Sequence, residues 1–119
     1  MKSYQRGRNA EEKARIYLEQ RGLKTITQNY RTRRGEIDLI MQDRDTTVFV
    51  EVRARQGNSI LDPVETIDPG KCSRIIHSSQ HYLQKCKGTY STICRFDVVL
   101  LDGPPETARI EWLKNAFEA

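Results

Sequence analysis

At 119 residues the chain is sized for one domain with a core of its own, expected to span 1–119. No stretch approaches the roughly 20 apolar residues of a membrane span, which argues against a membrane role. The net charge of +4 and a pI near 9.1 fall short of a histone-like polycation, and an odd count of three cysteines argues against a disulfide framework. Met1-Lys2-Ser3-Tyr4-Gln5-Arg6 lacks the apolar segment of a secretory signal, so a cytoplasmic protein with reduced thiols is expected.

Residues 8–21 read as an amphipathic helix. Asn9 is placed as its N-cap with Glu12 three residues on, Ala10, Ala14, Tyr17 and Leu18 recur at helical spacing, and Gly22 stands where a C-terminal cap glycine belongs. On that helix Glu11 falls beside Leu18, at the border of the buried face, where a carboxylate either leans into a cleft or complements the helix dipole in solvent. Residues 23–30, rich in β-branched side chains, read as a strand, followed by the basic turn Arg31 to Arg34. Strands at 35–42 and 46–55 flank the polar turn Asp43-Arg44-Asp45 and form a hairpin. Gly57, Pro63, Pro69 and Gly70 mark 56–70 as a loop, and a second helix follows over about 70–86. Strands at 92–101 and 107–113, separated by Gly103-Pro104-Pro105, complete the order α-β-β-β-α-β-β.

Two of these strands carry charge where apolar residues are the rule. Gly35-Glu36-Ile37-Asp38-Leu39-Ile40 and Val48-Phe49-Val50-Glu51-Val52-Arg53 set carboxylates into strand-forming runs. Residues i and i+2 of a strand share a face, so Glu36 projects with Asp38 and Glu51 with Arg53. Buried carboxylates need a partner, because stripping their water is costly. Side by side, Asp38 and Glu51, with Glu36 as a spare, suit a hard divalent cation such as Mg²⁺ or Mn²⁺. The same spacing also fits carboxylates paired with arginines on an exposed sheet face.

The remaining candidates sort by geometry. Cys72, His77, His81 and Cys86 lie on one helix, but with Cys72 at 0° the others fall at about 140°, 180° and 320°. The cysteines therefore share the apolar face and read as core residues, the histidines read as surface groups, and zinc is rejected. Asp97 reads as structural, as does Trp112 in the last strand. Lys71 opens the second helix and points either at the acidic strands or at solvent. Arginine outnumbers lysine 13 to 7, and Arg31, Arg33, Arg34, Arg53 and Arg55 border the acidic strands. A basic rim around an acidic centre suggests a polyanion held over bound metal.

The combination Gly7-x-x-Ala10-Glu11-x-x-Ala14-x-x-Tyr17-Leu18-x-x-x-Gly22, Asn29-Tyr30-Arg31, the two acidic strands, Lys71 and Arg95-Phe96-Asp97-Val98-Val99 resembles the YraN family of uncharacterised bacterial proteins over nearly the whole chain. The layout is also similar to archaeal Holliday-junction resolvases. The resemblance implies a restriction-endonuclease-like α/β (α+β) fold of the PD-(D/E)xK superfamily, a mixed central sheet flanked by helices. It further implies Glu11 as the helix acid, Asp38 as the hairpin aspartate, Glu51 as the second acid and Arg53 at the usual lysine position. Mg²⁺ or Mn²⁺ would sit on Asp38 and Glu51, with Glu11 helping. Arginine can neutralise charge on phosphate but cannot accept a proton, and Lys71 could replace the missing lysine. The leading expectation is a metal-dependent nuclease-like protein acting on DNA, branched DNA included, with Arg31, Arg33, Arg34, Arg53 and Arg55 on the backbone. The alternatives are a nucleic-acid-binding module without cleavage and a protein-interaction domain. Junction-resolving relatives work as symmetric pairs, so a homodimer is compatible with this reading.

Overall fold

Apolar residues at alternating positions in β2 (Glu36–Asp43) and β3 (Thr46–Arg55) make a two-faced ribbon on which the rest of the chain is laid. The computed structural model describes residues 3–55, 69–87, 93–104 and 106–118. Its remaining elements are α1 (Ser3–Gln20), β1 (Lys24–Arg31), α2 (Pro69–Tyr82, continued by a π-helical turn over Leu83–Lys87), β4 (Cys94–Asp102) and β5 (Arg109–Phe117). The sheet order is β1-β2-β3-β4-β5, antiparallel throughout except for the parallel pair β3–β4. A parallel neighbour requires a crossover, and α2 lies on it. The expected order α-β-β-β-α-β-β is the observed one, and the architecture is α+β with a mixed sheet. Most of the expected loop at 56–70 lies outside the described residues, as does Pro105. No described helix is long and apolar enough to cross a membrane.

Two cores lie on the two faces of the sheet. Ala10, Ala14 and Leu18 of α1 pack on Leu39, Met41, Val48, Val50, Val99 and Leu101. Ile75, Tyr82 and Leu83 of the second helical segment pack on Ile37, Ile40, Phe49 and Phe96. The neighbours Phe49 and Val50 thus serve opposite cores, as the period of two requires. β4 carries the buried run Phe96 to Leu101, as a strand covered on both faces should.

Three expectations are corrected. α1 begins at Ser3, so Asn9 is an exposed residue inside the helix rather than its cap. Once nucleated, a helix extends cheaply through polar residues, and the chain ahead of Asn9 holds no proline to stop it. Cys72 is half-buried and Cys86 is exposed, so neither is a core residue. The regular wheel that placed Cys86 with the core fails because the helix widens to π geometry over Leu83–Lys87. The last strand runs to Phe117, because Phe117 stacks on Phe96 at 5.0 Å between ring centroids.

Asp97 is fully buried and structural, as its place in an apolar strand suggested. Its carboxylate accepts from Arg95 Nε, from Trp112 Nε1 at 2.9 Å and from the backbone N–H of Asn115 at 2.9 Å. The register of β4 and β5 shifts at this point, and Asn115 sits at φ +53°. The aspartate supplies the acceptor that the interrupted ladder lacks.

The end of α1 shows the sequence signal in full. The N–H of Leu23 bonds to the carbonyl of Leu18, and that of Gly22 to the carbonyl of Glu19, closing a Schellman motif over Gly22 at φ +100°. Nothing lies within 4 Å of where a Cβ would stand on Gly22, so a substitution there meets only backbone strain. Gly22→Ala is therefore expected to lower stability by about 1–2 kcal/mol, measured by urea unfolding. An unchanged midpoint would show that the helix end has another conformation.

Candidate functional site

The paired register of β2 and β3 ends at Leu39↔Val50. One residue further, the strands part. The N–H of Val52 donates to Asp38 Oδ2 at 2.8 Å instead of to a ladder carbonyl. The carboxylate thereby fills the gap left by the missing bond, which fixes its position in the fork. Glu51, the residue before Val52, is buried at 4 % exposure, and the register that pairs Leu39 with Val50 sets it opposite Asp38, close enough to raise that carboxyl. The two side chains singled out from the sequence therefore converge on one point.

Other elements complete the group. α1 brings Glu11, and oxygens of Glu11, Glu36 and Asp38 lie within 4.8 Å of one another. Glu36, expected only as a spare, is thus a member of this group, and Glu51 meets it through Asp38. α2 brings Lys71, whose Nζ lies 2.8 Å from Glu51 Oε2. That contact is an ion pair without hydrogen-bond alignment, since Glu51 Oε2 is buried and makes no hydrogen bond. Arg31 Nε lies 3.3 Å from Glu36 Oε2.

Asn29 figures in the sequence only as part of a motif, with no role assigned to it. It sits in β1 at φ +53°, and its amide Nδ2 donates to Glu11 Oε1 at 2.8 Å and to Glu36 Oε1 at 2.6 Å. Asparagine tolerates the left-handed region better than other side chains do, and one amide nitrogen carries two protons for two carboxylates. An asparagine in a β-branched strand is the signal that could have found it.

The rest of the expected residues are placed less centrally. Arg53 is half-buried on β3, opposite Leu100 in register. Alternation puts it on the Glu51 face. Arg31, Arg33 and Arg34 line a groove together with Thr32, His77 and His81, and only Arg31 of the three pairs with a member of the acidic group. Arg55 is half-buried opposite Asp102, at the far end of β3 from the turn.

The electrostatics of the fork follow from this crowding. Burial above all, then the hydrogen bond and negative charge of Glu51 and the charge of Glu11, push the Asp38 carboxyl up to about 9, against the pull of the Val52 N–H. The oxygen set is hard, and two ligands on opposite sides of one Mg²⁺ at about 2.1 Å each stand about 4.2 Å apart. The separations within the Glu11–Glu36–Asp38 group are on that scale. Glu11, Glu36 and Asp38 therefore suit a small divalent cation, whereas Glu51 lies outside that group of oxygens; a cation there would offset the cost of a buried, crowded Asp38 carboxylate.

The raised Asp38 pKa has a definite sign in stability. The unfolded carboxyl titrates near 3.8, so the folded state holds the proton more tightly. The stability this gives is present below about pH 4 and is lost as pH rises towards about 9. Asp38→Asn keeps an acceptor for the Val52 N–H and removes the charge. In chelator at pH 8 it is expected to melt about 3–6 °C above wild type, with the gap closing towards pH 4. Thermal unfolding across pH decides this, and a variant no more stable than wild type would sink the account of the fork.

The geometry can be set beside known proteins. The profile of the Uncharacterised protein family UPF0102 matches residues 10–101. That span holds Glu11, Asn29, Glu36, Asp38, Glu51 and Lys71. A UPF0102 protein of Nitrosococcus oceani is 45% identical over 112 residues, covering 94% of this chain and 90% of its own. One from Coxiella burnetii is 46% identical over 112 residues, covering 94% and 91%. One from Pseudomonas aeruginosa is 43% identical over 122 residues, covering 98% and 95%. With matches of that length and identity, the chain belongs to the UPF0102 (YraN) family.

Proposed function

We propose that this protein is a restriction-endonuclease-like, metal-dependent phosphodiester hydrolase of the cytoplasm, acting on DNA and in particular on branched DNA. The observation that carries the reading is the meeting of the Asp38 and Glu51 carboxyls where β2 and β3 part, with Lys71 at 2.8 Å from Glu51. An acid on each of two forked strands, a helix acid and a nearby lysine are the chemistry of the PD-(D/E)xK plan. Here Glu11 supplies the helix acid and Lys71 of α2 stands in for the lysine that Arg53 replaces. That swap of elements leaves the ammonium beside the same carboxylate.

Asp38 and Glu51, with Glu11, would hold Mg²⁺ or Mn²⁺. When bound, the cation supplies polarisation of a phosphate oxygen and acidification of water. Lys71 holds Glu51 in place and would set a positive point charge beside a reacting phosphate. Arg53 remains charged throughout and neutralises the phosphate without exchanging a proton. Asn29 keeps Glu11 and Glu36 turned towards Asp38.

Cleavage of labelled linear, nicked and four-way substrates in Mg²⁺ or Mn²⁺ tests the proposal. Asp38→Asn and Glu51→Gln are expected to abolish product, and Lys71→Ala to slow it about 10²–10³-fold. Product that persists in Asp38→Asn would place the reaction elsewhere or in a contaminant.

One observation favours a second reading, a binding module without cleavage. The Lys71 ammonium already balances the charge of Glu51, and arginine fills the signature lysine position. On that reading wild type gives no product at any metal concentration, and cleavage that emerges in Arg53→Lys marks a degenerate nuclease.

A further inference from the structure

From Pro69 to Phe96 the sequence contains no Asp or Glu, in a chain that has 16 of them. That stretch includes all of α2 and its π-helical extension. Two open grooves lie along it, of about 630 Å³ and 520 Å³. Both are lined by His77 and His81. One continues to the β1–β2 turn with Arg31, Arg33 and Arg34, the other to Gln80, Gln84 and Lys85. Among the described residues no carboxylate lines either groove.

The turn is braced rather than loose. Thr32 N–H bonds to the Gly35 carbonyl at 2.8 Å, Arg34 N–H to Thr32 Oγ1 at 3.1 Å, and Thr32 Oγ1 to Ser78 Oγ of α2 at 2.8 Å. A Cβ on Gly35 would stand 3.5 Å from Arg74 Cβ, so turn and helix pack closely there. Arg33 and Arg34 are exposed and make no ion pair with a described carboxylate. His81 Nδ1 is held at 2.7 Å by the Tyr30 hydroxyl, which leaves Nε2 as the ring nitrogen that can meet a ligand.

A row of guanidinium, imidazole, amide and ammonium groups with no carboxylate among them suits phosphate oxygens, which only accept hydrogen bonds. The row also starts where the acidic fork ends, because Arg31 pairs with Glu36. We propose that this track binds the phosphodiester backbone of the nucleic-acid strand that leaves the fork, and that it does so without a metal ion. The inference rests on the nucleic-acid part of the function proposed above, but not on cleavage. It assigns His77, His81, Gln80, Gln84 and Lys85 to backbone contact alongside the arginines.

The test is fluorescence anisotropy with labelled single-stranded and duplex DNA in EDTA. Wild type is expected to bind with a salt-dependent affinity. Arg33→Gln/Arg34→Gln is expected to weaken binding about tenfold or more at low salt and to reduce the duplex salt slope by about 1.8. His77→Gln/Lys85→Gln, at the middle and the far end of the track, is expected to weaken it as well. Lys24→Gln/Arg44→Gln removes two charges at the opposite end of the β1–β2–β3 ribbon and is expected to bind as wild type does. Polyglutamate is expected to compete poorly. The proposal is overturned if wild type does not bind in EDTA, if the track variants bind normally while melting as wild type does, if the control pair weakens binding equally, or if polyglutamate competes as well as DNA. Binding that persists without cleavage would sink the nuclease reading and leave the track standing. Cleavage indifferent to the track variants would do the reverse.

Discussion

The exchange of one ladder hydrogen bond for a side-chain one governs the acidic end of this molecule. Where β2 and β3 would continue as a hairpin, the N–H of Val52 turns to Asp38. A backbone donor in a sheet cannot be left unmet, so the strands can diverge only because a carboxylate is there to receive it. The divergence opens the space in which Glu51 meets Asp38. The carboxylate that permits the fork is also the one that suffers most from it, buried beside a second acid and within reach of a third. The carboxylates thus gather where β2 and β3 part.

The two cores make the fork a meeting point of four elements. α1 is seated by Ala10, Ala14 and Leu18, whose small and branched side chains let the helix lie close to β2 and β3 and deliver Glu11 to the same end. α2 is seated on the other face through Ile75 and Tyr82, and its first turn carries Lys71. Each helix thus contributes a side chain of opposite sign. Asp97 repeats the device of the fork at the β4–β5 register shift, but there Arg95 and Trp112 complete the shell. The comparison separates the two aspartates: one has an arginine and an indole filling its surroundings, the other has carboxylates.

Much of this was readable from residue order because it depends on short-range pattern. Alternation within two runs placed Glu36 with Asp38 and set Glu51 in a buried strand, and the helical spacing of Ala10, Ala14 and Leu18 brought Glu11 to the edge of the buried face. Gly22 ended its helix as its lack of a Cβ allows. What failed or stayed hidden depends on geometry that pattern does not carry. Asn9 failed as a cap because nothing stops the helix from running further back. Cys86 left the core because the helix widened by one residue per turn. The role of Asn29 stayed hidden because it needs a left-handed kink in an edge strand. Lys71 and its partner Glu51 stand twenty residues apart in sequence, a separation that no periodicity encodes.

Both outermost strands carry such kinks, and these have a bearing on how copies of the chain can meet. β1 has a register shift between Thr25 and Thr27 and the left-handed Asn29, and β5 has its shift near Asn115. Irregularities of this kind bend a free border away from flat backbone pairing and so guard against fibre-like association. A symmetric pair of these molecules would therefore join through side chains on a helical or loop surface and not by stitching two sheets into one.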